Sequence, residues 1–188
     1  MITPLTGRRF MGNWDTVFQS IMETQNELQV PGEIAEFGVF EGGNTLKLAQ
    51  YGRKVWAFDT YEGIPKEDFD PEVDKDLPGK FTPQWSIADL FRGYPQVIPV
   101  KGRFAETLPT IAPSLKFCFV FLDCDLYSSH KQVLSWLPSH MSRNGVILFE
   151  DYYLLPAAKQ AAEEFKLEQG FGDQGVPANL VVWKDSHV

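Results

Sequence analysis

Acidic side chains at the ends of apolar runs are the first feature of this sequence that could do chemistry. Phe117 to Asp123 reads FCFVFLD, and Asp123-Cys124-Asp125 closes that run. Val146 to Phe149 is a second apolar run, and Glu150-Asp151 closes it. If the two runs are neighbouring parallel strands, Asp123, Asp125, Glu150 and Asp151 meet in one cleft. Four carboxylates with no counter-charge repel one another and hold their protons. A divalent cation resolves that repulsion, and all-oxygen donors favour magnesium, calcium or manganese over zinc. Such an ion can orient two vicinal hydroxyls and lower the pKa of one. A carboxylate left over then serves as general base. The plainer alternative is helix capping and solvated strand ends, with Asp125 as a cap and Glu150 paired to a lysine.

A second group lies earlier. Glu36-Phe37-Gly38-Val39-Phe40-Glu41-Gly42-Gly43 follows a short apolar run and precedes a helical pattern. It is neither G-x-G-x-x-G nor a Walker loop, which argues against nicotinamide dinucleotides and nucleoside triphosphates. Glycines at such a turn let the backbone approach a ligand. Glu36 and Glu41 would repel a pyrophosphate and suit a cationic amine or sulfonium. Asp59 ends the next strand, KVWAFD, where it can accept hydrogen bonds from ribose hydroxyls. Glycine turn plus acid fits S-adenosylmethionine better than a dinucleotide. The alternative is that Gly38, Gly42 and Gly43 only shape a turn and pack a helix.

These residues need a scaffold, and the rest of the chain predicts one. Trp14 to Leu28 carries Val17, Phe18, Ile21 and Met22 at helical spacing, with Asp15 in the first turn. Strands are expected at 33–39, 54–59, 97–100, 117–123, 146–149 and 180–183. Helices are expected at 45–51, 86–92, 105–111, 128–137 and 157–168, with Ser128 or Ser129 capping the fourth. Asn144-Gly145 reads as a turn into the fifth strand. The alternation predicts an α/β, Rossmann-like fold, with helices on both faces of a mainly parallel sheet and an antiparallel last strand. Such sheets bind ligands at the carboxyl ends of their strands, near the point where strand order reverses. Gly38, Asp59, Gly102, Asp123 and Glu150 all sit at such ends. Residues 62–95 read as a long crossover carrying a flap or lid, rich in acids, prolines and glycines.

The 188 residues suffice for a single domain, taken as 1–188, and 44% are hydrophobic. The net charge of −8 disfavours nucleic acid and anionic membrane as partners. Cys118 and Cys124 fall in one run, so a disulfide is not expected and a reducing cytoplasm is. No secretory leader and no span of about 20 apolar residues is visible. Cys124 between two acids is a poor nucleophile and reads as packing. His130 reads as a helix-surface residue, as do His140 and His187 at the surface. Lys101 and Arg103 can hold a substrate or pair with Glu106. Phe81 and Trp85 can cover a ligand or simply pack.

At these residues the sequence resembles the macrocin O-methyltransferase family. The segments that carry the likeness are GEIAEFGVFEGGNT, VWAFDTYEGIP, VKGRFAETLP, FLDCDLYSSHKQVLSWL and GVILFEDYYLLPAAKQAAEEF, in order from Gly32 to Phe165. The resemblance implies an S-adenosylmethionine-dependent class I enzyme, assisted by magnesium or another hard divalent cation. Its acceptor would be a sugar hydroxyl or another small-molecule diol in natural product biosynthesis, and a homo-oligomer is compatible. It implies Asp123, Glu150 and Asp151 as metal ligands and Asp125 as the general base. It places Glu36, Gly38, Gly42, Asp59, Gly102, Phe104 and Asp123 at the cofactor. Glu150 departs from the family's usual pair of aspartates, and less chain than usual precedes the first strand. Those departures keep a second reading in play, a cofactor-binding module without catalysis; a third is a metal-dependent hydrolase.

Overall fold

The computed structural model describes residues 14–74 and 78–184. Its centre is β4, Phe117–Leu122, whose six residues are all buried. A run apolar on both faces can only sit inside a sheet covered from both sides. On one side of it lie β1 (Glu33–Phe37), β2 (Val55–Asp59) and β3 (Val97–Lys101); on the other lie β5 (Met141–Phe149) and β6 (Leu180–Val182). The order across the sheet is β3-β2-β1-β4-β5-β6. All neighbours pair in parallel except β5 and β6, which are antiparallel.

Helices cover both faces, as the alternating pattern requires. Strand side chains point to opposite faces in turn. Ile34, Val55, Ala57, Phe119 and Phe121 face α1 (Trp14–Glu27), α2 (Gly43–Leu48) and α3 (Ile87–Leu90). Ala35, Phe37, Phe58, Val120 and Leu122 face α4 (Phe104–Thr107), α5 (Tyr127–Trp136) and α6 (Pro156–Glu168). The helical stripe of α1 is the expected one, with Val17, Phe18, Ile21 and Met22 buried.

Register brings the strand ends level. Phe37 lies beside both Phe58 and Leu122, and Leu122 beside Phe149. The ladder then runs one residue further. Gly38 N–H donates to Phe58 O, Gly102 N–H to Asp59 O, Asp123 N–H to Phe37 O and Glu150 N–H to Leu122 O, each at 2.9–3.0 Å. The residues after β1, β3, β4 and β5 are therefore fixed before their chains diverge. The sheet order reverses between β1 and β4, so the cleft opens there.

Several expectations need correction. β1 stops at Phe37, two residues early, because the chain turns at Gly38, φ 88°. β5 begins at Met141, not Val146. Asn144-Gly145 is an irregularity inside that strand, where pairing jumps from Phe117–Met141 to Phe119–Val146 and Asn144 takes φ 64°. The helices expected at 45–51 and 105–111 each break into a short α-helix and a 3-10 turn, at Ala49–Tyr51 and Leu108–Thr110. Pro109 explains the second break, since it has no N–H to give. No helix among the described residues is long and apolar enough to cross a membrane.

Candidate active site

The cleft at the β1/β4 divide is walled by five segments. The turn after β1 contributes Gly38, Val39 and Phe40; the end of β2 contributes Asp59 and Thr60. Gly102, Arg103 and Phe104 come from the β3–α4 turn, and Asp123 to Leu126 with Ser129 from the segment entering α5. The fifth comes from the crossover between β2 and β3, through Gly63, Ile64, Pro65, Asp68 and Phe81.

Asp59 organises the glycine turn. One carboxylate oxygen accepts the amides of Val39 at 2.6 Å and Phe40 at 3.0 Å; the other accepts Tyr61 N–H at 2.7 Å. Phe40 and Tyr61 both hold left-handed backbones, φ 51° and 54°, which bulky residues rarely adopt. The carboxylate stabilises them by taking the amides that this geometry presents. Asp59 thus lines the cleft and also shapes its wall, a second job that the sequence reading did not assign.

Glu36 and Gly42 are not brought to the cleft wall. Glu36 lies on the α2 side of the sheet, 1% exposed, and accepts a short hydrogen bond from Thr45 Oγ1. Burial pushes its carboxyl up to about 8, against the bond from Thr45, with Asp59 adding repulsion. It is protonated at neutral pH and gives no negative charge to a cationic ligand. Gly42 is the left-handed residue that starts α2 and sits against the ring of Phe91.

Asp123 joins the cleft to an acidic cluster. Carboxylate oxygens of Asp123, Glu150 and Asp151 all lie within 4.8 Å of one another. Burial, then the charges of Asp151, Glu150 and Asp125, hold the Asp123 carboxyl well above the usual range. Three carboxylates this close are hard-oxygen donors of the kind that could hold a divalent cation of the magnesium type. Asp125 lines the cleft, with φ 56°, and Leu126 N–H donates to Cys124 O at 2.6 Å across it. This is a γ-turn of the rare positive-φ hand. Strain of this kind persists only where the surroundings enforce it.

Other expectations are resolved differently. Cys124 is buried, and burial with flanking acids raises its thiol well above the usual range. His130 is not a surface residue: it is fully buried, with Nδ1 2.8 Å from Leu126 O, and burial lowers its pKa to about 4. His140 is buried too and stacks on Trp136 at 3.7 Å between ring centroids. His187 lies outside the described residues. Arg103 turns to the crossover rather than chiefly to Glu106, forming a two-pronged bond with Asp68 at 2.6 and 2.9 Å. Lys101 also reaches the crossover, at Glu62, 2.6 Å. Phe81 meets Phe40 edge-on at 5.6 Å, whereas Trp85 is 62% exposed. The sequence reading missed Asp68 and Asp74, both buried carboxylates of the crossover.

A comparison with protein families matches residues 2–179 to the macrocin-O-methyltransferase (TylF) family. The chain belongs to that family. It is 30% identical over 173 residues to the 8-demethyl-8-(2,3-dimethoxy-alpha-L-rhamnosyl)-tetracenomycin-C 4'-O-methyltransferase of Streptomyces olivaceus, covering 82% of this chain and 66% of that one. It is 29% identical over 185 residues to the mycinamicin III 3''-O-methyltransferase of Micromonospora griseorubida, covering 84% and 70%. The chain thus spans about two thirds of the length of these relatives. Among solved structures, the O-methyltransferase NovP superposes with a TM-score of 0.75 at 25% identity, covering 93% of this chain and 80% of that one. The calicheamicin methyltransferase superposes at 0.70 and 23% identity, covering 84% and 72%, a likeness of fold.

Proposed function

We propose that this chain is an S-adenosylmethionine-dependent O-methyltransferase that methylates a sugar hydroxyl of a natural product with help from a divalent cation. The observation that carries the reading is the position of Asp123. It lines the cleft between the glycine turn and α5, and it belongs to the three-carboxylate cluster. The family membership and the names of the relatives, which act on glycosylated natural products, support the same reading.

S-adenosylmethionine supplies an electrophilic methyl on a sulfonium, and the cation supplies charge that favours the alkoxide form of an acceptor hydroxyl. The chain supplies the rest. Gly38 and Val39 shape the floor for the amino-acid end, and Asp59 carries oxygens toward the ribose position. Phe104, Ile64 and Leu126 give apolar surface for a flat base. Asp123, Glu150 and Asp151 would hold the cation. Asp125 would take the proton of the acceptor hydroxyl on its carboxylate, and bound S-adenosylmethionine would supply the methyl and leave as the thioether. The crossover excludes water, which would otherwise compete for the base and dilute the charges.

Calorimetry with S-adenosylmethionine, followed by a glycoside panel with radiolabelled cofactor, tests the reading. Binding with transfer that EDTA stops and magnesium restores is expected. Absence of binding at millimolar cofactor rejects it. Binding without transfer to any glycoside favours a non-catalytic cofactor module.

A further inference from the structure

The crossover between β2 and β3 does more than cover the cleft; its carboxylates are built into α5. That helix starts at Tyr127 directly after Asp125. Its own N-cap, Leu126, offers no side-chain bond, and its first turn has no acid. A helix start leaves N–H groups without partners and favours a negative charge nearby. Both needs are met from 53 residues earlier in the chain. Asp74 Oδ1 accepts Tyr127 N–H at 2.9 Å. The other oxygen of the same carboxylate accepts Asp70 N–H at 2.9 Å, so one buried side chain ties a crossover turn to the helix. Asp68 reinforces the join: its backbone oxygen accepts Ser128 Oγ at 2.5 Å, and its carboxylate accepts Gln132 Nε2 at 3.3 Å.

The junction lies next to the strained turn. Tyr127 N–H, held by Asp74, follows Leu126 N–H, which closes the γ-turn over Asp125. Asp125 takes φ 56°, a backbone that aspartate tolerates better than most residues with a Cβ but that still needs support from its surroundings. The turn is held from both sides, by Asp123 N–H on Phe37 O and by the capped start of α5. The Asp74 cap is the side that the crossover contributes.

We propose that Asp74 is a positioning residue: by capping α5 across the chain it holds the Cys124–Leu126 turn that presents Asp125 to the cleft, so that seating of the crossover and setting of the base occur together. The proposal rests on the reading of Asp125 as the base. A protein whose crossover is lifted to exchange cofactor then has its base out of place, and proton removal waits for closure.

Residue-resolved amide exchange by NMR on the full chain, with and without saturating S-adenosylhomocysteine, tests this. Expected in the native protein is joint slowing by the ligand of the crossover amides at 63–74 and of Leu126, Tyr127 and Ser128. Asp74→Ala should keep the slowing at 63–69 and lose it at 126–128, by about fivefold or more, the effect of removing a cap. A merely structural role would speed exchange with and without ligand alike and leave the linkage in place. Asp74→Asn keeps one acceptor oxygen where Tyr127 N–H and Asp70 N–H each take one, so it should restore the linkage only in part. Tyr127→Pro removes the N–H donor, together with the ring and its hydroxyl bond to Glu164, at a helix position that suits proline after an extended Leu126, and is read at Leu126 and Ser128. It should mimic Asp74→Ala, and Tyr127→Phe should not. Linked slowing that survives both Asp74→Ala and Tyr127→Pro overturns the proposal. If one variant fails to fold, the other decides. The exchange readout needs no acceptor. A fully active Asp125→Asn would therefore reject the base assignment and leave the coupling result standing.

Discussion

Gly38 and Asp123 meet backbone to backbone: a Cβ on Gly38 would lie 1.7 Å from the Asp123 carbonyl oxygen. The contact joins the glycine turn to the acid that serves both cleft and cluster. Gly38 also takes φ 88°, which an L side chain rarely adopts. Gly38→Ala therefore meets a clash with rigid backbone plus about 1–3 kcal/mol of strain. We expect loss of folding or a fall of roughly 3 kcal/mol or more in stability by urea unfolding. Gly43→Ala is the control, because nothing lies within 4 Å of its added Cβ. It should stay within about 1 kcal/mol of the native protein. Equal effects of the two changes would show that close approach is not what Gly38 provides.

The carboxylate of Asp59 holds three amides, and an amide side chain cannot do the same. Asp59→Asn puts an NH₂ group where one of the two oxygens faces N–H donors. Either the Val39–Phe40 pair or Tyr61 then loses its acceptor, at a cost of about 1–3 kcal/mol. Both the wall of the cleft and any ribose contact suffer together. Calorimetry should show S-adenosylhomocysteine binding weakened by about tenfold or more, with a matching drop in stability. Unchanged affinity would leave Asp59 with a purely structural task.

Burial of Glu36 gives a pH dependence with a definite sign. Its folded pKa, about 8, lies above its ordinary value of 4.5. Between those limits the folded state holds a proton that the unfolded state has lost, so stability falls as pH rises. The penalty begins near pH 4.5, grows through the neutral range and is complete above about pH 8. Glu36→Gln keeps an oxygen for Thr45 Oγ1 and cannot ionise. Its melting temperature should exceed that of the native protein at pH 8 and match it near pH 5. A constant difference across the range would mean that Glu36 does not titrate in the fold.

Much of this arrangement is legible in the sequence because it follows from local periodicity. The apolar runs ending at Phe37, Asp59, Leu122 and Phe149 have strand length and end at turn residues, and their acids necessarily share one edge of a parallel sheet. What is not legible depends on contacts between distant segments. Asp68 and Asp74 look like two more acids in a polar stretch, and only folding shows one against Arg103 and the other on α5. Asp59 looks like a ligand residue, yet its amide partners lie 19 and 20 residues earlier as well as two later. His130 was readable: it lies three and four residues before Val133 and Leu134, on the same buried face of α5. Helical phase identifies it as a core residue, and its polarity misleads.

The Arg103–Asp68 pair should set how tightly the crossover sits. Asp68 is buried while about a third of Arg103 remains exposed, so solvent weakens the charge attraction and the fork geometry carries much of the bond. Lysine cannot reproduce two parallel N–H bonds. Arg103→Lys should therefore behave more like Arg103→Met than like the native protein. Stopped-flow release of S-adenosylhomocysteine should be several-fold faster in both, and limited proteolysis within 62–81 quicker. The Arg103 bond holds the Asp68 carboxyl below its ordinary 3.8. The pair's contribution is thus complete above about pH 4 and lost only as pH falls below that range. Release rates that rise between pH 8 and pH 6 must come from another group.

The acidic cluster should trade stability for metal binding. In the metal-free protein the charges of Glu150 and Asp151 act against ionisation of Asp123. Removing one of them without changing shape lowers that repulsion. Glu150→Gln should therefore leave the metal-free melting temperature unchanged or raised, as happens when a functional site is relieved of strain. The same change removes one of three hard donors, so the melting shift produced by magnesium should vanish and manganese binding by EPR should weaken by about tenfold or more. Methyl transfer should fall with it, while calorimetric affinity for S-adenosylhomocysteine stays close to native, since Glu150 stands outside the cofactor cleft. A variant that loses stability without magnesium would indicate that Glu150 is an ordinary surface acid paired for folding. A variant that keeps its magnesium response would move the cation to Asp123 and Asp151 alone.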